Sequence, residues 1–421
     1  MLNMLIAVFT LSLVLPMQSY SETNCDFNGV QSIQVPVYSG VANSPKFKYS
    51  FRVRQGDKDR PLILVLGGGP GQNPLAPGSA PLLGAFPEKY TLDYTDPRSI
   101  GCNNTYPFVE DSLSTLALAD DVAAMIESLY KQKLLKQPYF IYGASFGTQH
   151  ATVLTRRLQQ LGLLLPKAVV LEGVSGHHFS GFNDYFKNFQ SEWERIKQQD
   201  LKLEVRAFFE ASLPTQTSSS GYSSNVWGQF LSSQIILGYI PQAGKKFQHL
   251  IDWYLTDPNG QAAAIPQLNN LVLGTNDGQN VPVDNLFKAI GCREIWGEFF
   301  AGRNIVDGRL VATSNNVCEG IQKDRPYDSK SWQIPVPIYY VQGKHDPTTT
   351  LEHAKYHFEN QTSPRKMIVV ERASHGPLSI ALRPCANQIW DAMTSSPEKL
   401  EAVAQACGQA LRTEIQFYSK E

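Results

Sequence analysis

Ser145, Asp346 and His375 are the residues of this chain whose types and settings could do acyl-transfer chemistry. Ser145 is the centre of Gly143-Ala144-Ser145-Phe146-Gly147. A serine hydroxyl attacks a carbonyl carbon only when a base within hydrogen-bond reach takes its proton and an acid orients that base. Residues 139–142 form a short run of aromatic and β-branched type, the pattern of a buried strand. Amphipathic helical spacing follows over 148–164. The G-x-S-x-G sequence therefore stands in the strand, sharp turn and helix setting in which a nucleophilic serine is held exposed on a strained turn. The start of that helix would also bring the Phe146 N–H and the positive end of the helix dipole to the place where an oxyanion forms.

The acid and the base have matching positions. Residues 335–341 and 366–370 read as strands. The first runs into Gly343-Lys344-His345-Asp346-Pro347 and the second into Ala373-Ser374-His375-Gly376-Pro377. Reactive groups in open α/β sheets gather at the carboxyl ends of strands, and the order Ser, Asp, His is the one found where a G-x-S-x-G elbow carries the nucleophile. A further apolar strand, 61–66, ends in Gly67-Gly68-Gly69-Pro70-Gly71. A glycine cluster there exposes backbone N–H groups, so Gly68, with Gly69 as the alternative, is the candidate for the second oxyanion donor. No Gly-Lys-Ser/Thr follows, which excludes a phosphate loop.

These loops need a sheet to position them. Additional strands are read at 47–54, 90–95 and 168–171, and helices at 111–130, 349–358, 378–393 and 397–411, with 366–370 as the last strand. Leu116, Ala119, Ala123 and Ile126 form the apolar face of the 111–130 helix. Strands alternating with helices at this spacing predict a mostly parallel, doubly wound α/β sheet. From residue 176 to about 330 the pattern changes to successive helical stretches, at 179–199, 201–212, 225–237, 245–254 and 285–300, without strand alternation. A helical cap is therefore expected over 176–330, inserted between core segments 22–175 and 331–421.

Composition narrows the function classes. The 421-residue chain has 37 Lys and Arg against 38 Asp and Glu, so it lacks the basic footprint of a nucleic-acid binder. Residues 1–21 resemble a signal peptide cut after Ser21, with an apolar core over 5–15, although no Lys or Arg precedes that core. After that cut no membrane span is expected, and the mature chain would be secreted or periplasmic. Cys25, Cys102, Cys292, Cys318, Cys385 and Cys407 make an even set with no C-x-x-C spacing, which in an exported chain favours disulfides over zinc. Spacing alone leaves the pairing open.

Other candidates read as structural. His353 and His357 lie one turn apart without a third ligand, so no metal site is expected. His177 and His178 begin the insertion, and His345 is too close in sequence to Asp346 to serve as its base. Asp120 and Asp121 read as helix-surface charges, and Asp96 as a brace for its own loop. No cofactor is implied.

Taken together, Gly68-Gly69-Pro70-Gly71, Asp96-Pro97-Arg98 with Gly101, the Ser145 elbow, Gly343 to Asp346 and Ser374-His375-Gly376 resemble the proline iminopeptidase and tripeptidyl aminopeptidase branch of the α/β-hydrolases. The chain departs from that pattern at Gly67, where the branch has His, and at Pro97 and Ser99 in its Asp-Gln-Arg-Gly segment. The resemblance implies an exported serine exopeptidase that releases N-terminal residues, acting on peptides with a free N-terminus under a helical cap. An aminopeptidase must hold an α-ammonium group, and Glu294 and Glu172 are the candidate carboxylates. The Ala289 to Glu294 segment and the late cysteines are similar to features of exported members, and the expected bridges are Cys25–Cys102, Cys292–Cys318 and Cys385–Cys407. A carboxylic ester hydrolase on the same fold is the alternative, because esters and amides share a tetrahedral intermediate. A non-catalytic binding module is a remoter one.

Overall fold

The computed structural model describes residues 25, 29–75, 86–135, 138–180, 187–188, 191, 195, 285–299, 303–306, 309–312, 315–379 and 381–421, with the backbone alone at 303–306 and 309–312. Its centre is a nine-stranded sheet. The strands begin with β1 (Val30–Pro36), β2 (Lys46–Arg54), β3 (Leu62–Leu66) and β4 (Thr91–Thr95). After helix α1 (Thr115–Lys131) come β5 (Tyr139–Ala144), helix α2 (Phe146–Gln160) and β6 (Ala168–Glu172). A separate two-stranded hairpin, β7 (Arg303–Val306) and β8 (Arg309–Ala312), precedes β9 (Ile338–Gly343). Helix α3 (Leu351–Asn360), β10 (Arg365–Val370), helices α4 (Ala386–Ser395) and α5 (Leu400–Leu411), and β11 (Ile415–Lys420) complete the chain.

The sheet order is β1-β2-β4-β3-β5-β6-β9-β10-β11. Pairing is parallel from β4 to β10 and antiparallel at both margins. The central strands β3, β5 and β6 are buried nearly throughout because helices cover both faces, which is why their sequences are continuous apolar runs. One apolar layer packs α1, α2 and α3 on the sheet, and the other packs α4 and α5 on the opposite face around Trp390. This strand order, with the G-x-S-x-G turn between β5 and α2, is the α/β-hydrolase fold.

The edges differ from the sequence expectation. β1 and β11 were not expected, and β10 is not the last strand. Both added strands are partly exposed edges that pair on one side only, so neither has the continuous apolar run of a central strand. Helix α1 starts at Thr115 rather than at residue 111, capped by Ser114, whose side chain accepts from the Ala117 N–H at 3.1 Å. Leu116 is 40% exposed, while Leu118, Val122 and Met125 join Ala119, Ala123 and Ile126 in the core. The 378–393 helix is only α4, preceded by a 3₁₀ turn at Arg383–Cys385.

Asp120 and Asp121 are not surface charges. Asp120 pairs with Arg157 at 2.6 Å. Asp121 is fully buried against Arg98, whose Nε and Nη2 donate to its two oxygens at 2.7 and 2.5 Å. Nη1 of Arg98 donates to the carbonyls of Val37 and Ser112, and its guanidinium lies against the rings of both Phe47 and Phe108. Helical periodicity in one segment could not reveal this pair, because Arg98 arrives from the loop after β4. Asp96 in that loop braces it, accepting from the Leu75 and Cys102 N–H groups at 2.8 and 2.9 Å.

Three disulfides join the expected pairs, Cys25–Cys102, Cys292–Cys318 and Cys385–Cys407, and none of these cysteines is free. The last ties the start of α4 to the end of α5, across a sequence separation of 22 residues. Replacing Cys385 and Cys407 together by serine is expected to lower unfolding stability by about 2–4 kcal/mol through the freer unfolded chain. Denaturant titration without reductant checks this. An unchanged midpoint would show that the bridge does not constrain the fold.

The cap expectation lies largely outside the described residues: the 201–212, 225–237 and 245–254 helices fall there, as does most of 179–199, and so do residues 1–21. Two differences are visible. The expected 285–300 helix is Asn285–Phe287 continuing as π-helical turns over Lys288–Ile295, and the β7–β8 hairpin breaks the all-helical pattern. The two ends of the segment are stitched together, with the Phe179 N–H donating to the Ile295 carbonyl and the Tyr327 N–H to that of Glu294. No helix among the described residues is long and apolar enough to cross a membrane.

Candidate active site

Ser145 sits at the junction of β5 and α2 with φ 56° and ψ −124°, a region that non-glycine residues rarely occupy. The turn is too tight for side chains at its flanks. A β-carbon at Gly143 would stand 2.2 Å from the Gly147 carbonyl oxygen, and one at Gly147 would stand 2.3 Å from that of Leu66. Both glycines are therefore required by close backbone approach. The Ser145 N–H donates to the Glu172 carbonyl at 2.9 Å, and its own carbonyl accepts from the Thr148 N–H and hydroxyl, so the strained residue is held from both sides.

His375 lies over the neighbouring strand end. A β-carbon at Gly173, the residue after β6, would stand 3.0 Å from the ring atoms Cε1 and Nδ1 of His375. Nδ1 of His375 is 2.8 Å from Oδ2 of Asp346, whose side chain is fully enclosed. Asp346 is fixed by the Thr348 and Thr349 N–H groups, both at 2.9 Å to Oδ1, and by the Thr349 hydroxyl at 2.8 Å to Oδ2. With Nδ1–H given to Asp346, Nε2 of His375 is the nitrogen left to take a proton. Burial lowers the His375 pKa, but the Asp346 charge and hydrogen bond, with the Glu172 charge, outweigh it and leave the net shift upward.

Glu172 is buried, and its carboxylate braces the loop after His375. Oε1 accepts from the Leu378 and Ser379 N–H groups at 2.6 and 3.1 Å, and Oε2 accepts from the Tyr142 hydroxyl. Glu294 is buried as well. Its Oε1 accepts from the Thr115 N–H at 3.2 Å, and its Oε2 from the Thr115 hydroxyl at 2.6 Å and Nε2 of Gln149 at 3.1 Å. An acidic group there faces the positive end of α1, a favourable placement for negative charge. Burial raises the pKa of both glutamates, against the hydrogen bonds that favour their ionised forms.

The glycine loop reaches Ser145: a β-carbon at Gly68 would stand 3.0 Å from that of Ser145. The Gly68 N–H donates to Oε1 of Gln72 at 2.7 Å, so an oxyanion using that donor must displace the Gln72 amide. The Phe146 N–H is the first of α2, one of the groups a helix leaves without an internal acceptor. Thr349, Tyr142 and Gln72 escaped sequence reading, since a hydroxyl or amide in a loop carries no local pattern.

Two further histidines engage other partners. His357 bonds the Thr152 and Tyr340 hydroxyls at 3.0 and 2.9 Å, and His353 stacks between His177 and Phe179. Burial pushes His353 and His357 each down to about 3, so both are neutral at ordinary pH.

No known family's sequence profile matches the chain, and no curated protein does. Solved structures similar to it include a serine hydrolase from the bacterium Cycloclasticus zankles, 15% identical, covering 87% of this chain and 100% of that one with a TM-score of 0.42. An esterase from a Rhodococcus species is 13% identical, covering 87% and 99% with a TM-score of 0.43. A thermophilic esterase from Thermogutta terrifontis is 13% identical, covering 89% and 99% with a TM-score of 0.40. Likenesses this distant say nothing of substrate, and the fold assignment rests on the strand order and the elbow.

Proposed function

We propose that this protein is a serine hydrolase that transfers an acyl group to Ser145 and then to water, with carboxylic esters as its substrates. The observation that supports it is the meeting of three strand ends: a strained serine after β5, an imidazole beside Gly173 after β6, and a buried aspartate that holds Nδ1 of that imidazole. In this reading Nε2 of His375 takes the Ser145 proton as Oγ attacks the carbonyl carbon, and returns it to the leaving oxygen. Asp346 stabilises the imidazolium, and the Phe146 and Gly68 N–H groups receive the oxyanion. Esters come first because Glu172 and Glu294 each have both oxygens engaged by internal donors.

A second reading, release of N-terminal residues from peptides, is supported by the ordered motifs shared with the aminopeptidase branch. Its ammonium site would be Glu294, with Glu172 as the other candidate, and the ammonium would share their oxygens with the internal donors. The experiment compares p-nitrophenyl acyl esters with p-nitroanilides of free and acetylated amino acids and tripeptides. Ester turnover with slow anilides supports the first reading. Fast anilide cleavage that is lost on acetylation replaces it with the second. The three disulfides favour an oxidising compartment, consistent with export directed by residues 1–21.

The His375 pKa sets the pH profile. The imidazole is a base only when neutral, so kcat/KM is expected to rise with pH through a limb lying above the ordinary histidine value of about 6.5. Asp346→Asn removes the charge that raises it, and the limb of the residual activity should move to lower pH. A limb unmoved in the variant would show that another group titrates.

A further inference from the structure

Beside the glycine loop is a small, mostly apolar pocket lined by Tyr49, Gly68, Gln72, Leu118, Phe146 and His150, among others. It adjoins both backbone groups assigned to the oxyanion, so a substrate whose carbonyl oxygen lies there can send its acyl group inward. No described residue of the lining carries a carboxylate, ammonium or guanidinium.

His150 is the exception to the apolar character. It is 6% exposed, and its Nε2 is enclosed without a hydrogen-bond partner among the described residues. Burial pushes its pKa down to about 4, so the ring is neutral at ordinary pH. An enclosed ring nitrogen left without a partner is costly, so the site favours a ligand that brings one. A hydroxyl both donates and accepts, so it can meet Nε2 in either tautomer of the neutral ring.

We infer that this pocket selects a short acyl group bearing a hydroxyl, which pairs with Nε2 of His150, making His150 a specificity-determining residue. A cationic group would find no countercharge among the described residues of the lining. The inference rests on the ester-hydrolase reading.

The test measures kcat/KM for p-nitrophenyl esters of lactic and 3-hydroxybutanoic acids against their methyl isosteres, the 2-methylpropanoyl and 3-methylbutanoyl esters. For at least one pair the wild-type protein should prefer the hydroxyl by about tenfold or more, as sites built to pair a substrate hydroxyl do. In His150→Phe that ratio should fall towards one. A wild-type ratio of one or less in both pairs overturns the inference, with Nε2 then holding only a water, and so does a preference that persists in His150→Phe. Should the variant not fold, the wild-type ratio decides, together with a second measurement on the wild type. Methyl 3-hydroxybutanoate should slow fluorophosphonate labelling of Ser145 more than methyl 3-methylbutanoate does, and equal protection counts against the pocket. Failure of the hydrolase reading looks different: no fluorophosphonate labelling at all and no turnover of any ester, which overturns both.

Discussion

Ser145→Ala is expected to remove at least about 10⁴-fold of kcat on whichever acyl substrate the protein turns over, while leaving the fold intact. Among the described residues, the serine side chain makes no hydrogen bond that holds the elbow. The turn is fixed by the Ser145 N–H and carbonyl and by close backbone approach at Gly143 and Gly147, all of which alanine preserves. His375→Ala should cost a similar factor, and the double variant scarcely more, because the two groups act as one unit. Steady-state rates of the three variants, alongside their thermal melts, check the expectation. A Ser145→Ala protein with wild-type kcat would remove the acyl-enzyme mechanism, and multiplicative losses would show that the residues act separately.

The largest expected effect on stability lies away from the site, at Asp121. Among the described residues, Asp121→Ala would leave the buried Arg98 guanidinium only the Val37 and Ser112 carbonyls and the two aromatic rings. Removing one partner of such a pair typically costs about 3–5 kcal/mol, since a charge stays out of water uncompensated. Arg98→Met with Asp121→Leu should recover much of that loss, because the double variant buries no charge at all. Chemical denaturation of the three proteins tests this. An Asp121→Ala protein as stable as the wild type would mean that water reaches Arg98. The expectation has a functional side too, since Arg98 follows the Asp96 brace and pins the loop after β4 close to the glycine loop.

The sequence by itself determined the central elements and the candidate trio. Strands buried on both faces must be short continuous apolar runs, so β3, β5, β6, β9 and β10 are legible without partners. A G-x-S-x-G between a strand and a helix admits few geometries, and Ser145, Asp346 and His375 follow from strand ends in order. Edge strands β1 and β11 were not legible, because half-exposed strands alternate weakly and owe their form to the neighbour they pair with.

Only the tertiary structure decided what the buried charges do. Asp121 looks like any helix acid until Arg98 arrives from another loop, and Glu172 and Glu294 look like free carboxylates until their donors are in place. Glu172 meets Tyr142 from β5 and the N–H groups of Leu378 and Ser379, some two hundred residues along the chain. Glu294 meets the start of α1 and Gln149 of α2. A charge is tolerated inside a protein only where partners from distant segments converge on it, and local periodicity holds no record of that convergence.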